Sequence, residues 1–128
     1  MKVLLDTHVF IWLDTQPEKL SRTAMEICLD TDNQLYLSLA SMWEMQIKVQ
    51  LGKLKLKIPL AEMLNVQQQA NGLNILNIAL NHVYQLQVLP FHHNDPFDRL
   101  IIAQSVLENM TLISIDEKFK AYNVPLLW

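Results

Sequence analysis

The sequence predicts an α/β fold, a three-layer α/β/α arrangement around a parallel central sheet of four to five strands. Two observations carry this reading. Short apolar runs of strand length alternate with helix-length segments along the chain, the pattern of strands joined by crossover helices. The helix-length segments also carry start and stop signals at their ends. With 128 residues the chain has the size at which one hydrophobic core is filled and two are not, so residues 1–128 are read as a single domain.

The first strand is Lys2 to Leu5, closed by Asp6, and a short helix near Val9 to Leu13 follows it. Ser21 is placed to cap a helix over Arg22 to Leu29 by accepting a backbone N–H bond. The second strand, Leu35 to Leu37, runs into Ser38, a cap candidate for a helix over Leu39 to Leu51 that stops at Gly52. Leu60 to Asn71 is the next helix, and Gly72 supplies the positive φ that ends it. Then come a strand over Ile75 to Ile78 and a helix over Asn81 to Leu86. Asp95-Pro96 reads as an N-cap with proline at the first helical position, opening Pro96 to Asn109. Thr111 to Ile115 forms the fourth strand and Pro125 to Leu127 a weaker fifth. No repeat or low-complexity segment interrupts this order.

Composition narrows the class. Hydrophobic residues make up 51% and glycine only two positions, enough for a packed core and too little for a flexible linker. The one cysteine, Cys28, lies among Met25, Ile27 and Leu29 and reads as a core thiol in a reducing compartment. The N-terminal apolar run stops at Asp6, too short for a signal-peptide core, and no later run spans a bilayer. The expectation is a soluble, cytoplasmic protein. A net charge of −3 is not that of a broadly basic nucleic-acid binder. The one local surplus is Lys48, Lys53, Lys55 and Lys57, which suits either a solvated face or a phosphate-facing patch.

Open parallel sheets place their functional crevice beyond the carboxyl ends of the strands. Asp6 closes Val-Leu-Leu-Asp and Asp116 closes Leu-Ile-Ser-Ile-Asp, so both carboxylates are expected at that edge. Asp98 falls in the first turn of the helix opened by Pro96, and Glu44 one turn into the helix after the second strand. Each acid has an ordinary alternative. Asp6 and Asp116 suit helix caps, Asp98 suits the positive end of its helix, and Ser41-x-x-Glu44 matches a capping box. Four acids from four segments at one edge would nonetheless repel one another without a cation among them. Oxygen-only ligands favour Mg²⁺ or Mn²⁺ over zinc, and such ions can orient a phosphodiester and acidify an attacking water.

The histidines are weaker candidates. Side chains of adjacent His92 and His93 diverge, and neither has a histidine at helical spacing, so a solvated loop is the favoured reading over a metal site. His8 is read as structural.

Four pieces of sequence, Leu-Leu-Asp-Thr-His, Ser-Met-Trp-Glu, Asp-Pro-Phe-Asp-Arg-Leu-Ile-Ile-Ala-Gln and Ile-Ser-Ile-Asp-Glu-Lys-Phe, together resemble the PIN-domain nucleases, and most of all the VapC-type toxins of bacterial toxin–antitoxin modules. The resemblance implies a PIN-like fold over the whole chain. It implies that Asp6, Glu44, Asp98 and Asp116 form an acidic quartet that binds Mg²⁺ or Mn²⁺ for hydrolysis of single-stranded RNA. Asp95 is then a helper at most, and Arg99 and Lys48 are candidates to contact substrate phosphates. A homodimer and a small inhibitory antitoxin are implied as well. Two other readings stay open: a catalytically inactive PIN-like module that binds RNA or a partner, and an Asp phosphoacceptor domain. The second lacks its usual acidic company, because His8 stands where a phosphatase of that kind wants another Asp.

Overall fold

A computed structural model describes all residues from Met1 to Trp128. The elements run β1 (Lys2–Leu5), α1 (Thr7–Thr15), α2 (Arg22–Leu29), β2 (Gln34–Ser38), α3 (Leu39–Gln50), α4 (Leu60–Asn71), β3 (Asn74–Leu76), α5 (Leu80–Gln85), α6 (Pro96–Glu108), β4 (Thr111–Ile113) and β5 (Leu126–Leu127). Short 3₁₀ turns over Pro17–Lys19 and Glu117–Ala121 were not anticipated from periodicity. All five strands pair in parallel, in the order β3-β2-β1-β4-β5.

Strand alternation divides the core into two layers. Val3 and Leu5 of β1, with Leu35 and Leu37 of β2, face one side, where Val9, Phe10, Ala24, Cys28, Met45 and Met63 from α1 to α4 cover them. Leu4 and Leu112 point the other way, onto Ile101 and Ile102 of α6 and onto Phe119 and Tyr122. The three-layer expectation is therefore met. Cys28 is a buried member of the first layer, and burial pushes its thiol up to about 11.

Local chemistry sets most ends as anticipated. Ser21 accepts the Ala24 N–H at 3.0 Å, and Gly52 and Gly72 have φ of 71° and 64°. Other ends shift. α1 begins at Thr7 because Asp6 caps it directly. β3 stops at Leu76 and β4 at Ile113, short of the expected Ile78 and Ile115, and past β4 the Ser114 hydroxyl is bonded to Asp6 and Asp116.

The chain first builds outward from β1 through β2 to β3, then crosses to β4 on β1's other side. That reversal makes the carboxyl ends of β1 and β4 the switch point, where the connections diverge and a crevice opens. No helix is long and apolar enough to cross a membrane.

Candidate metal centre

Asp6 and Asp116 flank the switch point. Asp6 continues the ladder by donating its N–H to Ile113 O at 3.0 Å, so its side chain leaves the strand end at a fixed angle. Its Oδ1 accepts the Thr7 N–H at 2.7 Å and its Oδ2 accepts the Ser114 hydroxyl at 2.8 Å. The residue is 4% exposed. Burial pushes its carboxyl above the usual range, against the opposing pull of the Ser114 hydrogen bond and the nearby His8. Asp116 donates its N–H to the Ser114 hydroxyl at 3.0 Å and caps the following turn by accepting the Lys118 N–H at 2.9 Å.

Glu44 is released from the capping role that Ser41-x-x-Glu44 suggested. Ser38, not Ser41, is the N-cap of α3, accepting the Ala40 N–H at 3.0 Å. Ser41 lies three residues past that cap, too deep inside the helix to start a capping box, and its hydroxyl lies 2.9 Å from that of Thr7. The Thr7 hydroxyl is also 3.1 Å from Glu44 Oε1, and Lys48, one turn further along α3, reaches Glu44 Oε2 at 3.0 Å. Glu44 is thus buried yet fully partnered, and it belongs to the same edge as Asp6.

Asp95 caps α6 by accepting the Phe97 and Asp98 N–H groups at 2.8 and 3.1 Å, with Pro96 at the first position, as the sequence indicated. Asp98 then projects toward the other acids. Its carboxyl is pushed up to about 8, first by burial and then by the charges of Asp6, Asp95, Glu44 and Asp116. Its displacement reflects a carboxyl taken out of water first and set among like charges second. The structure brings together all four acids singled out in the sequence.

Two expectations are corrected. His93 is not in a solvated loop: it is 6% exposed, and its Nε2 lies 3.0 Å from Asp98 Oδ2 and 3.2 Å from Asp116 Oδ2. Arg99 is not available to a substrate phosphate. Its buried guanidinium donates to the carbonyls of Pro90, His93, Leu86 and Leu89 at 2.8 to 3.4 Å, under the Phe91 ring at 3.9 Å. An arginine's planar fork with five donors suits such a carbonyl cluster, and here it ties down the segment that carries His93. His92 instead packs its ring against Tyr122, and exposed His8 stands 5.7 Å from Trp12.

The sequence pattern did not single out Thr7 or Ser114, and it gave Ser41 only a capping role. The signal was present: each is a small hydroxyl residue within three positions of a candidate acid. Lys48, Lys53, Lys55 and Lys57 do gather, lining a groove of about 600 Å³ whose walls include Thr7, His8 and Trp12. Because Thr7 also touches Glu44, the lysine groove adjoins the carboxylates.

The donor set fits a hard divalent cation. Four carboxylates converge, two of them driven toward protonation, and the one ammonium in contact with them reaches only Glu44. Oxygens of Asp98 and Asp116, with His93 Nε2, come within 4.8 Å of one another. Carboxylate oxygens are the ligands Mg²⁺ and Mn²⁺ prefer.

Fold and site together define an α/β domain with a buried carboxylate centre at the switch point of a parallel sheet. A PIN domain family model matches residues 3–125. The chain belongs to the PIN domain family. It is 27% identical over 124 residues to Ribonuclease VapC22 of Mycobacterium tuberculosis, covering 96% of this chain and 93% of that protein. Its fold is similar to a crystal structure of VapBC2 from Rickettsia felis bound to a promoter DNA fragment, with a TM-score of 0.76, 21% identity and 99% and 98% of the two chains covered. A toxin–antitoxin complex from Klebsiella pneumoniae matches with a TM-score of 0.61, 18% identity and 98% and 96% coverage.

Proposed function

We propose that this protein is a Mg²⁺- or Mn²⁺-dependent endoribonuclease that cuts single-stranded RNA, acting as the VapC-type toxin of a toxin–antitoxin pair. The observation that carries the reading is the convergence of Asp6, Glu44, Asp98 and Asp116 around the ends of β1 and β4, with Asp98 pushed up to about 8 by burial first and then by the charges of its neighbours. Similarity to a ribonuclease across nearly the full length of both chains supports RNA as the substrate.

Asp6, Asp98 and Asp116 would hold the cation, with Glu44 as a further ligand or as the base that orients water. When bound, the ion supplies Lewis acidity toward a phosphate oxygen and lowers the pKa of an attacking water. The chain's own residues supply the preorganisation. Ser114 and the Thr7 N–H fix both oxygens of Asp6, and Thr7 and Lys48 each take one oxygen of Glu44. Lys53, Lys55 and Lys57 line the approach to this edge, where they would receive the backbone phosphates of the incoming strand, and Lys48 joins them.

A small antitoxin is the proposed partner, supported by the likeness in fold to chains from toxin–antitoxin complexes. A homodimer in the cytoplasm is proposed with it. The test is purified protein, free of any antitoxin, incubated with single-stranded RNA and DNA in Mg²⁺, in Mn²⁺ and in chelator. Cleavage of RNA in either metal and none in chelator is expected; cleavage that survives the chelator refutes the metal mechanism.

A further inference from the structure

His93 sits where the α5–α6 connection meets the carboxylates, and its ring is held on every polar atom. Its main-chain N–H donates to the Tyr122 hydroxyl at 2.8 Å, and that hydroxyl in turn donates to Pro90 O at 2.8 Å. The main-chain N–H of Asp95 donates to His93 Nδ1 at 3.2 Å. A ring nitrogen that accepts a hydrogen bond carries no hydrogen, so the imidazole hydrogen is on Nε2. Nε2–H faces Asp98 Oδ2 at 3.0 Å and Asp116 Oδ2 at 3.2 Å.

These contacts decide between two roles. To ligate a metal, Nε2 must offer its lone pair, which moves the ring hydrogen to Nδ1. Nδ1–H would then oppose the Asp95 N–H, leaving two donors face to face and one backbone group unpaired at the helix start, a costly arrangement. As a donor, by contrast, the ring satisfies Asp95 and both carboxylates at once. We propose that His93 is a positioning residue: its Nε2–H draws Asp98 Oδ2 and Asp116 Oδ2 to a common point, and the Asp95 N–H keeps the ring a donor to carboxylates and out of the metal's ligand set. The donor set around the cation then stays all oxygen, which is what holds its preference for Mg²⁺ and Mn²⁺ rather than zinc. This role rests on the reading of the acids as a metal centre.

The test uses the full chain and three readouts. In metal-free protein, long-range ¹H–¹⁵N correlation spectra should show His93 with Nε2 protonated and Nδ1 bare; a ring protonated on Nδ1 alone overturns the proposal. Mn²⁺ titration followed by electron paramagnetic resonance should give binding about tenfold weaker in His93→Ala, and within about threefold of the parent in His93→Gln, whose amide N–H restores a donor at similar reach. Equal Mn²⁺ affinity in the parent and His93→Ala overturns the role of His93 alone, whereas a parent that binds no Mn²⁺ overturns the metal centre beneath it. Pulsed measurements on the Mn²⁺-loaded parent should lack any ¹⁴N coupling that disappears in His93→Gln; such a coupling would make His93 a ligand and overturn the proposal.

Discussion

The Ser114 hydroxyl donates to Asp6 Oδ2 at 2.8 Å, across 108 positions of sequence, and so couples the end of β4 to the acid that closes β1. The same hydroxyl accepts the Asp116 N–H at 3.0 Å. One side chain therefore sets the relation between the two strand-end acids.

Ser114→Ala is expected to remove both bonds while keeping the fold. An unsatisfied buried polar group costs about 1 to 3 kcal/mol, so the urea midpoint should fall by a corresponding amount. The Asp6 carboxyl loses the hydrogen bond that most lowers its pKa, and divalent-metal affinity should weaken by about tenfold, as outer-shell changes do. Isothermal titration with Mn²⁺ alongside urea unfolding measures both.

Asp98 makes the metal-free protein sensitive to pH. Its folded pKa is raised from 3.8 to about 8, so the folded state holds a proton that the unfolded state releases. The stabilisation this gives is fully present below the unfolded value and is lost as pH rises through the folded one. In chelator, the melting temperature should fall from pH 5 toward pH 9, and Asp98→Asn should flatten part of that fall while abolishing cleavage. Metal binding must expel the proton, so Mn²⁺ affinity should climb with pH up to about 8. Thermal unfolding and metal titration across this range check the sign.

The lysine groove should act on substrate binding rather than on chemistry. Lys53, Lys55 and Lys57 lie on its walls and make no ion pair with the acids. Replacing all three with alanine should raise KM for RNA about tenfold or more at low salt, leave kcat within about twofold, and flatten the dependence of binding on salt concentration. Cleavage kinetics at several salt concentrations separate these effects.

Much of this architecture was legible because its signals are local. Ser21, Ser38, Asp95-Pro96, Gly52 and Gly72 end helices through bonds or φ angles within a few residues, and each sits where its neighbours require. The strand-end acids were legible for the same reason. His93 and Arg99 were misread because their roles are tertiary. A segment without periodicity gives no clue that Arg99 gathers its carbonyls, or that its histidine faces Asp116, which is 23 positions away. The capping-box reading of Ser41 and Glu44 failed because two serines competed for one cap, and the end of β2 decided in favour of Ser38.

The central claim is that the four acids form a metal centre that cleaves RNA, and Asp6→Asn tests it most directly. Asparagine keeps an oxygen for the Thr7 N–H and the shape of the cap while removing the charge at the strand end. Initial rates of RNA cleavage in Mg²⁺ should fall beyond the roughly 100-fold that an outer-shell change can account for, with the far-ultraviolet circular dichroism spectrum unchanged. A folded Asp6→Asn protein that cleaves RNA at the parent's rate would contradict the assignment.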